Sequence, residues 1–255
     1  MTAPTTQARV VVWFSCGAAS AVAAKLALKK YAGIHPVVIA YTDTGAEHQD
    51  NARFMRDCEA WFGQTVEVLR NAKYASTWEV WEDRRYIAGI AGAPCTAEMK
   101  KVPRWAFERA DDLHVFGFTM EERDRADRFR QQNPDVRFVT PLIEAGLSKA
   151  DCLGMIDRAG IEIPALYKLG FANNNCIPCP KATSPAYWNR MRRHFPAEFA
   201  RMAELSRRLD VRLVRLPGDV RAFIDELDPA IGAGEREPDI ECSILCHIAE
   251  KDLAA

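Results

Sequence analysis

The sequence predicts an α/β fold, a doubly wound and mainly parallel sheet followed by a mainly helical C-terminal region. Two observations support this prediction. Over the first 140 residues, short β-rich apolar runs alternate with helical patterns, which is typical of β-α-β units. The runs are continuously apolar, as expected for parallel strands buried on both faces.

Each element follows from one of these patterns. Five strands are predicted, at residues 9–15, 36–42, 65–70, 113–118 and 136–140. Between and after them we predict helices at residues 19–31, 47–62, 77–89, 97–110 and 121–132. Right-handed crossovers then make a doubly wound sheet the expected arrangement.

The β-rich runs stop after Pro141, and the remaining chain is predicted to be helical or irregular. Ser148 is expected to cap a helix that ends near Gly160. A further helical stretch spans residues 184–209 with a break at Pro196. We therefore expect a nucleotide-binding α/β domain at residues 1–145 and a helical, cysteine-containing region at residues 146–255.

Composition excludes several classes of protein. The chain has 255 residues, with 34 basic and 35 acidic side chains and a net charge of −1, so no global charge indicates a nucleic-acid or membrane partner. Since no long apolar run or signal-peptide core is present, a cytoplasmic protein is expected.

The C-terminal part has an uneven charge distribution, with a basic stretch at residues 181–215 before an acidic one at residues 219–252. Either the two stretches pair with each other, or the basic stretch forms a phosphate-binding surface from Arg190, Arg192, Arg193, Arg207 and Arg208.

Two predicted strands end in residues suited to a nucleotide. The first runs into a turn of small and hydroxyl residues, where backbone N–H groups and a helix N-terminus favour a phosphate: Ser15, Cys16, Gly17, Ala18, Ala19 and Ser20. Small residues there also permit close helix packing. The second strand ends in a carboxylate and hydroxyls: Thr42, Asp43, Thr44, Gly45, Glu47 and His48. Both segments lie at the carboxyl edge of the sheet, where such folds bind ligands.

The cysteines divide into two groups. Cys16, Cys58 and Cys152 stand alone, and we interpret them as core residues. The pairs Cys176-x-x-Cys179 and Cys242-x-x-x-Cys246 have spacings that suit a site of four thiolates for zinc or an iron–sulfur cluster.

The order of these motifs resembles the PP-loop superfamily of adenine nucleotide alpha-hydrolases, in its phosphoadenylylsulfate reductase-like branch. SCGAAS is similar to the branch's SxGAxS loop and TDTGAEH to its DTG element. Cys95 and Thr96 with Lys100 resemble a CTxxxK element, and the segment from Gly117 through Glu121 to Arg125 resembles a GxxxxE segment with a downstream arginine. The resemblance implies that ATP or an adenylylsulfate-type nucleotide is bound by the loop after the first strand, the segment after the second strand, Gly117 and Arg125. It also implies that Asp43, Lys100 and Glu121 are catalytic, with Lys100 offsetting phosphate charge.

The loop departs from the SGGxDS pattern of ATP pyrophosphatases, because Ala19 occupies the aspartate position and Cys16 replaces a glycine. Any magnesium ion would then depend on Asp43 or Glu121. Alternatively, Glu121 and Arg125 only form a pair on a helix surface.

The resemblance also implies a second use of the cysteines. Iron–sulfur adenylylsulfate reductases carry a Cys-Cys element before their CxxC, so Cys95 is an alternative ligand, although Thr96 replaces its neighbour. They end in an ECGxH motif whose cysteine is the nucleophile, and Glu241-Cys242 is similar. Cys242 is thus either a nucleophile or a ligand, and we favour a site of Cys176, Cys179, Cys242 and Cys246.

Three functions follow. The first is an adenylylsulfate-type reductase, in which a thiolate attacks the sulfonyl sulfur and a thioredoxin-like reductant releases the product. The second is an ATP-pyrophosphatase-type sulfurtransferase, which needs a sulfur donor and modifies a nucleobase or nucleic acid. The third is a non-catalytic module that binds a nucleotide or a nucleic acid.

Overall fold

A computed structural model describes residues 8–89, 92–232 and 234–237. The chain forms two compact units that interleave along the sequence. Unit 1 contains the described residues up to Thr42 together with Gln49–Leu69 and Trp105–Pro164. Unit 2 contains Asp43–His48 and the described residues of Arg70–Arg104 and of the chain after Pro164. The predicted domain boundary near residue 145 marks the point where the predicted secondary structure changes from alternating strands and helices to mainly helices. It stays a prediction.

Unit 1 is built on a five-stranded, wholly parallel sheet, which confirms the predicted fold class. The spatial order is β3-β2-β1-β4-β5. All four residues of β1 are buried, as expected for a central parallel strand covered on both faces. The strands are β1 (Val10–Trp13), β2 (Val37–Thr42), β3 (Glu67–Leu69), β4 (Leu113–Val115) and β5 (Phe138–Val139).

Helices follow most of the strands, as predicted. In unit 1 they are α1 (Ala18–Tyr31), α2 (Asn51–Phe62), α6 (Arg123–Gln132), α7 (Pro141–Glu144) and α8 (Lys149–Arg158), together with the end of α5 (Val102–Phe107), which begins in unit 2. In unit 2 they are α3 (Thr77–Arg84), α4 (Pro94–Thr96), α9 (Ala165–Lys168), α10 (Pro185–His194) and α11 (Pro196–Arg208). Single turns of 3₁₀ helix lie at Met120–Glu122, Pro217–Asp219 and Ile224–Glu226, and a π-helical turn at Ala97–Lys101.

Three sequence predictions about elements were wrong. The helix expected at residues 47–62 begins only at Asn51, because the preceding segment forms a turn. The helix expected at residues 97–110 is broken by the π-helical turn and ends at Phe107; Pro103 has no N–H to continue the regular ladder. A small antiparallel hairpin follows residue 141 after all, formed by β6 (Val214–Leu216) and β7 (Val220–Ala222).

Two predicted helix boundaries were right. The Ser148 hydroxyl accepts the Asp151 N–H at 3.1 Å and caps α8. Pro196 separates α10 from α11, as expected of a residue that cannot continue a helix. No helix in the described part of the chain is long and apolar enough to cross a membrane.

Two arginines of the basic stretch pair with acidic residues of the stretch that follows. Arg207 contacts Asp225 at 3.1 Å and Glu226 at 2.8 Å, and Arg190 contacts Glu237 at 3.0 Å. Arg208 pairs instead with Glu82, and Arg192 donates to the Ile224 and Leu227 carbonyls.

Candidate functional site

The turn after β1 is held in shape by one hydroxyl group. The Ser20 Oγ accepts the Ser15 N–H at 3.0 Å and the Gly17 N–H at 3.4 Å, and it donates to the Gly17 carbonyl at 2.9 Å. Cys16 is fully buried with a left-handed φ of +53°, a conformation that glycine adopts more easily. The turn leads directly into α1, whose first N–H groups have no carbonyl four residues earlier in the helix.

Gly117 lies against this turn. A Cβ atom at Gly117 would come within 2.9 Å of the Ser20 Cα and 3.0 Å of the Ser20 backbone nitrogen. Only glycine therefore lets the segment after β4 approach the first turn of α1. Since β1 lies between β2 and β4, this is also the point at which the strand order reverses, and open α/β sheets bind ligands there.

Glu121 lies at the N-terminus of α8. Both of its carboxylate oxygens are 3.3 Å from the Lys149 backbone nitrogen. Partial burial raises the pKa of Glu121, but hydrogen bonds from backbone N–H groups and from the Thr119 hydroxyl outweigh it, so the pKa lies below its usual value. Arg125 pairs with Glu122 at 2.6 Å. Both predicted residues thus have structural partners, and their roles toward a ligand stay predictions.

Unit 2 contains the segment that follows β2. Asp43 stabilises it as a turn, because its Oδ1 accepts the Gly45 N–H at 2.9 Å while Arg70 donates to Oδ2 at 3.0 Å. Gly45 has a φ of +62°, and a Cβ atom there would lie 2.0 Å from the Ala75 carbonyl oxygen. The turn is therefore possible only with glycine at this position.

This turn is joined to the CxxC loop. The Thr44 Oγ1 lies 3.1 Å from the Cys176 Sγ and 3.3 Å from Glu47 Oε1. The Ile177 N–H donates to the Ala46 carbonyl at 2.6 Å. From the sequence we predicted that the Thr44 segment binds a nucleotide and that the CxxC pair binds a metal. Nothing in the sequence indicated that these two segments are in contact.

Three cysteines line one hollow in unit 2. They are Cys95 and the CxxC pair of Cys176 and Cys179, which come from two segments far apart in the sequence and are all buried. The remaining lining residues are hydroxyl, basic and proline side chains: Thr44, Thr77, Thr96, Lys100, Pro180 and Lys181. The hydroxyls of Thr77 and Thr96 are buried and have no hydrogen-bond partner among the described residues. Sequence reasoning had not selected Thr77 or Lys181 as site residues, and it had named Thr96 only as part of the CTxxxK element.

Helix α10 fixes the CxxC loop. The Tyr187 hydroxyl accepts the Cys179 N–H at 2.6 Å, and Trp188 Nε1 donates to the Ala182 carbonyl at 2.9 Å. Burial raises the pKa of Tyr187 well above its usual value, and negative charge at Cys179, Glu237 and Cys176 raises it further. The phenol is therefore a neutral hydrogen-bonding group in this loop.

Two of the predicted thiol ligands, Cys242 and Cys246, lie outside the described residues, as does Glu241. Within the described ranges, no three His, Cys, Asp or Glu side chains are placed to hold one metal ion. The structure does bring the alternative ligand Cys95 to the same hollow as Cys176 and Cys179. It places the cysteines assigned to the core, Cys58 and Cys152, as buried thiols of unit 1.

A doubly wound parallel sheet whose central strand ends in a turn that leads directly into a helix N-terminus is typical of α/β nucleotide-binding proteins. The sequence model of the phosphoadenosine phosphosulfate reductase domain matches residues 9–182. Because the match covers more than half of the chain, the protein belongs to this family, which is named for an enzyme and agrees with the resemblance identified from the motifs.

Solved structures with a similar fold include two enzymes. Phosphoadenylyl-sulfate reductase from Candida auris is 14% identical, with a TM-score of 0.49 over 69% of this chain and 82% of that chain. The U34-tRNA thiolase NcsA from Methanococcus maripaludis, solved with its [4Fe-4S] cluster, is 13% identical, with a TM-score of 0.45 over 95% and 81% of the two chains. A search of curated proteins finds no match.

Proposed function

We propose that this protein is an adenine-nucleotide-dependent enzyme of sulfur chemistry and that its reaction is an adenylylsulfate-type reduction. The turn after β1 carries the proposal. It offers backbone N–H groups at the start of α1, and the first turn of that helix contains no acidic residue. Such a turn favours an anion. A reaction that expels pyrophosphate from ATP would benefit from a carboxylate there to hold magnesium, whereas reduction of an adenylylsulfate expels no pyrophosphate.

The nucleotide phosphates bind, in this proposal, at the turn that Ser20 holds together. Gly17 and Ala18 provide the closest backbone approach, and Ser15 supplies an exposed hydroxyl. Thr42, at the end of β2, and Asp43 stay predicted nucleotide contacts. The carboxylate of Asp43 is already engaged by Arg70 and by the Gly45 N–H, which supports a role in shaping the turn.

The reaction requires a thiolate that attacks the sulfonyl sulfur of the nucleotide. A sulfur–sulfur bond forms, the bond from sulfur to the phosphate oxygen breaks, and the nucleoside phosphate leaves with that electron pair. A reduced dithiol protein of the thioredoxin class then attacks the cysteine sulfur and releases sulfite, and it is itself oxidised to a disulfide. In this proposal Cys242 is the nucleophile, in place of the ligand role that the cysteine spacing favoured, and Lys100 is proposed to compensate negative charge.

We assign the thiols of unit 2 to an iron–sulfur cluster, which is ligated at separate irons by thiolates spread around it. Cys95, Cys176 and Cys179 would hold it, and the two unpartnered hydroxyls, of Thr77 and Thr96, are suitable donors to its sulfurs. When bound, such a cluster supplies a redox-active, charge-accepting group.

Product analysis tests the reaction. Purified protein is given an adenylylsulfate with a reduced thioredoxin-like protein, and separately ATP. Release of sulfite is expected. Release of pyrophosphate from ATP, without sulfite, would instead identify a sulfurtransferase. If neither product is released, the protein is a binding module without this catalytic activity.

Nucleotide binding is tested by calorimetry on two variants. Gly17→Val should weaken binding of an adenine nucleotide by at least about tenfold, or about 1.4 kcal/mol, because a side chain there blocks the approach of backbone to phosphate. Cys58→Ala, buried elsewhere in unit 1, is the control and should bind normally. Equal affinities would contradict the phosphate site.

A further inference from the structure

Two buried hydroxyl groups of unit 2 have no hydrogen-bond partner in the described part of the chain. They belong to Thr77, which opens α3, and to Thr96, which ends α4, and each residue is 1% exposed. Most buried polar side chains in native proteins are hydrogen-bonded, because a buried group without a partner loses its hydration and gains nothing in return. Neither hydroxyl therefore stabilises the fold, and each needs a partner other than these residues.

Both hydroxyls line the hollow that contains the thiols. Thr96 directly follows Cys95 in the sequence. Thr77 is joined to the other thiol segment, because its N–H donates to the Thr44 carbonyl at 3.1 Å and the Thr44 Oγ1 lies 3.1 Å from the Cys176 Sγ. One unpartnered hydroxyl thus accompanies each of the two segments that carry the thiols.

The lining of the hollow indicates what kind of partner the hydroxyls bind. Besides the thiols and hydroxyls it contains the ammonium groups of Lys100 and Lys181, and no carboxylate is found among the described residues that line it. Such a lining favours an anionic group that accepts hydrogen bonds. An iron–sulfur cluster with its thiolate ligands is such a group, and hydrogen bonds to its sulfurs help to set its reduction potential.

We propose that Thr77 and Thr96 bind the cluster: each hydroxyl donates a hydrogen bond to one of its sulfurs. These hydrogen bonds retain the cluster, and they raise its reduction potential because a donor stabilises the more negative, reduced form. The inference rests on the proposed iron–sulfur assignment and does not depend on which reaction the protein catalyses. Thr44 differs from the other two threonines, because its hydroxyl already contacts Cys176 and Glu47.

Valine substitutions test in the metal-free protein whether the two hydroxyls lack a partner. Thr77→Val and Thr96→Val keep the shape of the side chain and remove the hydroxyl. The full-length, reduced and chelator-treated variants should therefore unfold at the same urea concentration as the parent or at a higher one. Thr44→Val is the matched control, and it should unfold at a lower urea concentration because it loses a partnered hydroxyl. Decreases for the other two variants as large as that of the control would contradict the proposal.

The loaded protein tests whether the cluster is the missing partner. The parent and the variants are reconstituted anaerobically with iron and sulfide, and the loss of iron to a chelator is followed by absorbance. Thr77→Val and Thr96→Val should each lose iron about tenfold faster than the parent, as expected for one hydrogen bond to a charged group. Each should also have a lower reduction potential. Thr77→Ser keeps the hydroxyl and should retain the parental rate and potential.

The results separate this inference from the proposals on which it builds. Parental iron loss and parental potential in both folded valine variants would overturn it and would indicate that ordered water satisfies the hydroxyls. A parent protein that retains no iron would overturn the cluster assignment and this inference together. Since neither measurement contains a nucleotide, both are independent of whether sulfite is released.

Discussion

The two units build their candidate sites in different ways. In unit 1 the proposed anion-binding turn comes from consecutive residues, and one nearby glycine, Gly117, packs against it. In unit 2 the hollow is assembled from segments near residues 44, 77, 95–100 and 176–181. A site made of adjacent residues follows from the end of a strand, whereas a site made of distant segments depends on the packing of the whole unit.

The largest expected effect comes from the turn that supports the hollow. Gly45→Ala should lower the free energy of unfolding by about 2–5 kcal/mol, since the new Cβ meets the Ala75 carbonyl and the residue must keep a left-handed backbone. Gly63→Ala is the matched control. It has a φ of +79° and nothing within 4 Å of the added atom, so only the backbone cost of about 1–2 kcal/mol applies. Equal losses in urea denaturation would contradict the close approach at Gly45.

A smaller effect is expected at the turn of unit 1. Ser20→Ala removes the hydroxyl that binds Ser15 and Gly17, which should cost about 1–3 kcal/mol of stability and weaken nucleotide binding severalfold. Ser148→Ala, which removes the cap of α8, should cost about 0.5–2 kcal/mol and leave nucleotide affinity unchanged. If calorimetry finds both variants equally impaired in binding, the turn is not the phosphate site.

The smallest expected effect is a difference in reactivity between the buried thiols of unit 1, Cys58 and Cys152, and the Cys176 thiol of unit 2. Burial raises the pKa of both Cys58 and Cys152 to about 12, so at pH 8 only about one molecule in 10⁴ carries either thiolate. Both should stay unmodified by iodoacetamide in the native, metal-free protein and react after unfolding in urea. Cys176 lines the hollow and should react first. Native labelling of Cys58 as fast as Cys176, measured by mass spectrometry, would contradict this distinction.

The sheet could be predicted because its strands are buried on both faces and read as apolar runs, as Val10–Trp13 does. The helix cap at Ser148 and the helix break at Pro196 were predictable because each depends on the side chain of one residue and its near neighbours in the sequence. The hairpin at Val214–Leu216 and Val220–Ala222 was missed because two strands of three residues give almost no alternation to detect.

The candidate sites differ in the same way, because one depends on local sequence and the other on contacts between distant residues. The turn at Ser20 was predicted from its own sequence, although Gly117 was interpreted as a nucleotide contact and the structure gives it a packing role. The contact between Thr44 and Cys176 was not predictable, because it joins residues 132 positions apart. Cys242 and Cys246 remain predictions made on spacing and resemblance.

The hydrogen bonds of Ser20 also bear on selectivity. These hydrogen bonds lie within the turn itself, so we expect the proposed phosphate site to lose little conformational entropy when an anion binds. A site of this kind is expected to accept any phosphate of suitable size, including inorganic phosphate, and to give no induced-fit discrimination between nucleotides. Under the proposed function, recognition of one nucleotide over another would then depend on groups that contact its base, its ribose or its terminal group, and the turn would contribute affinity common to all of them.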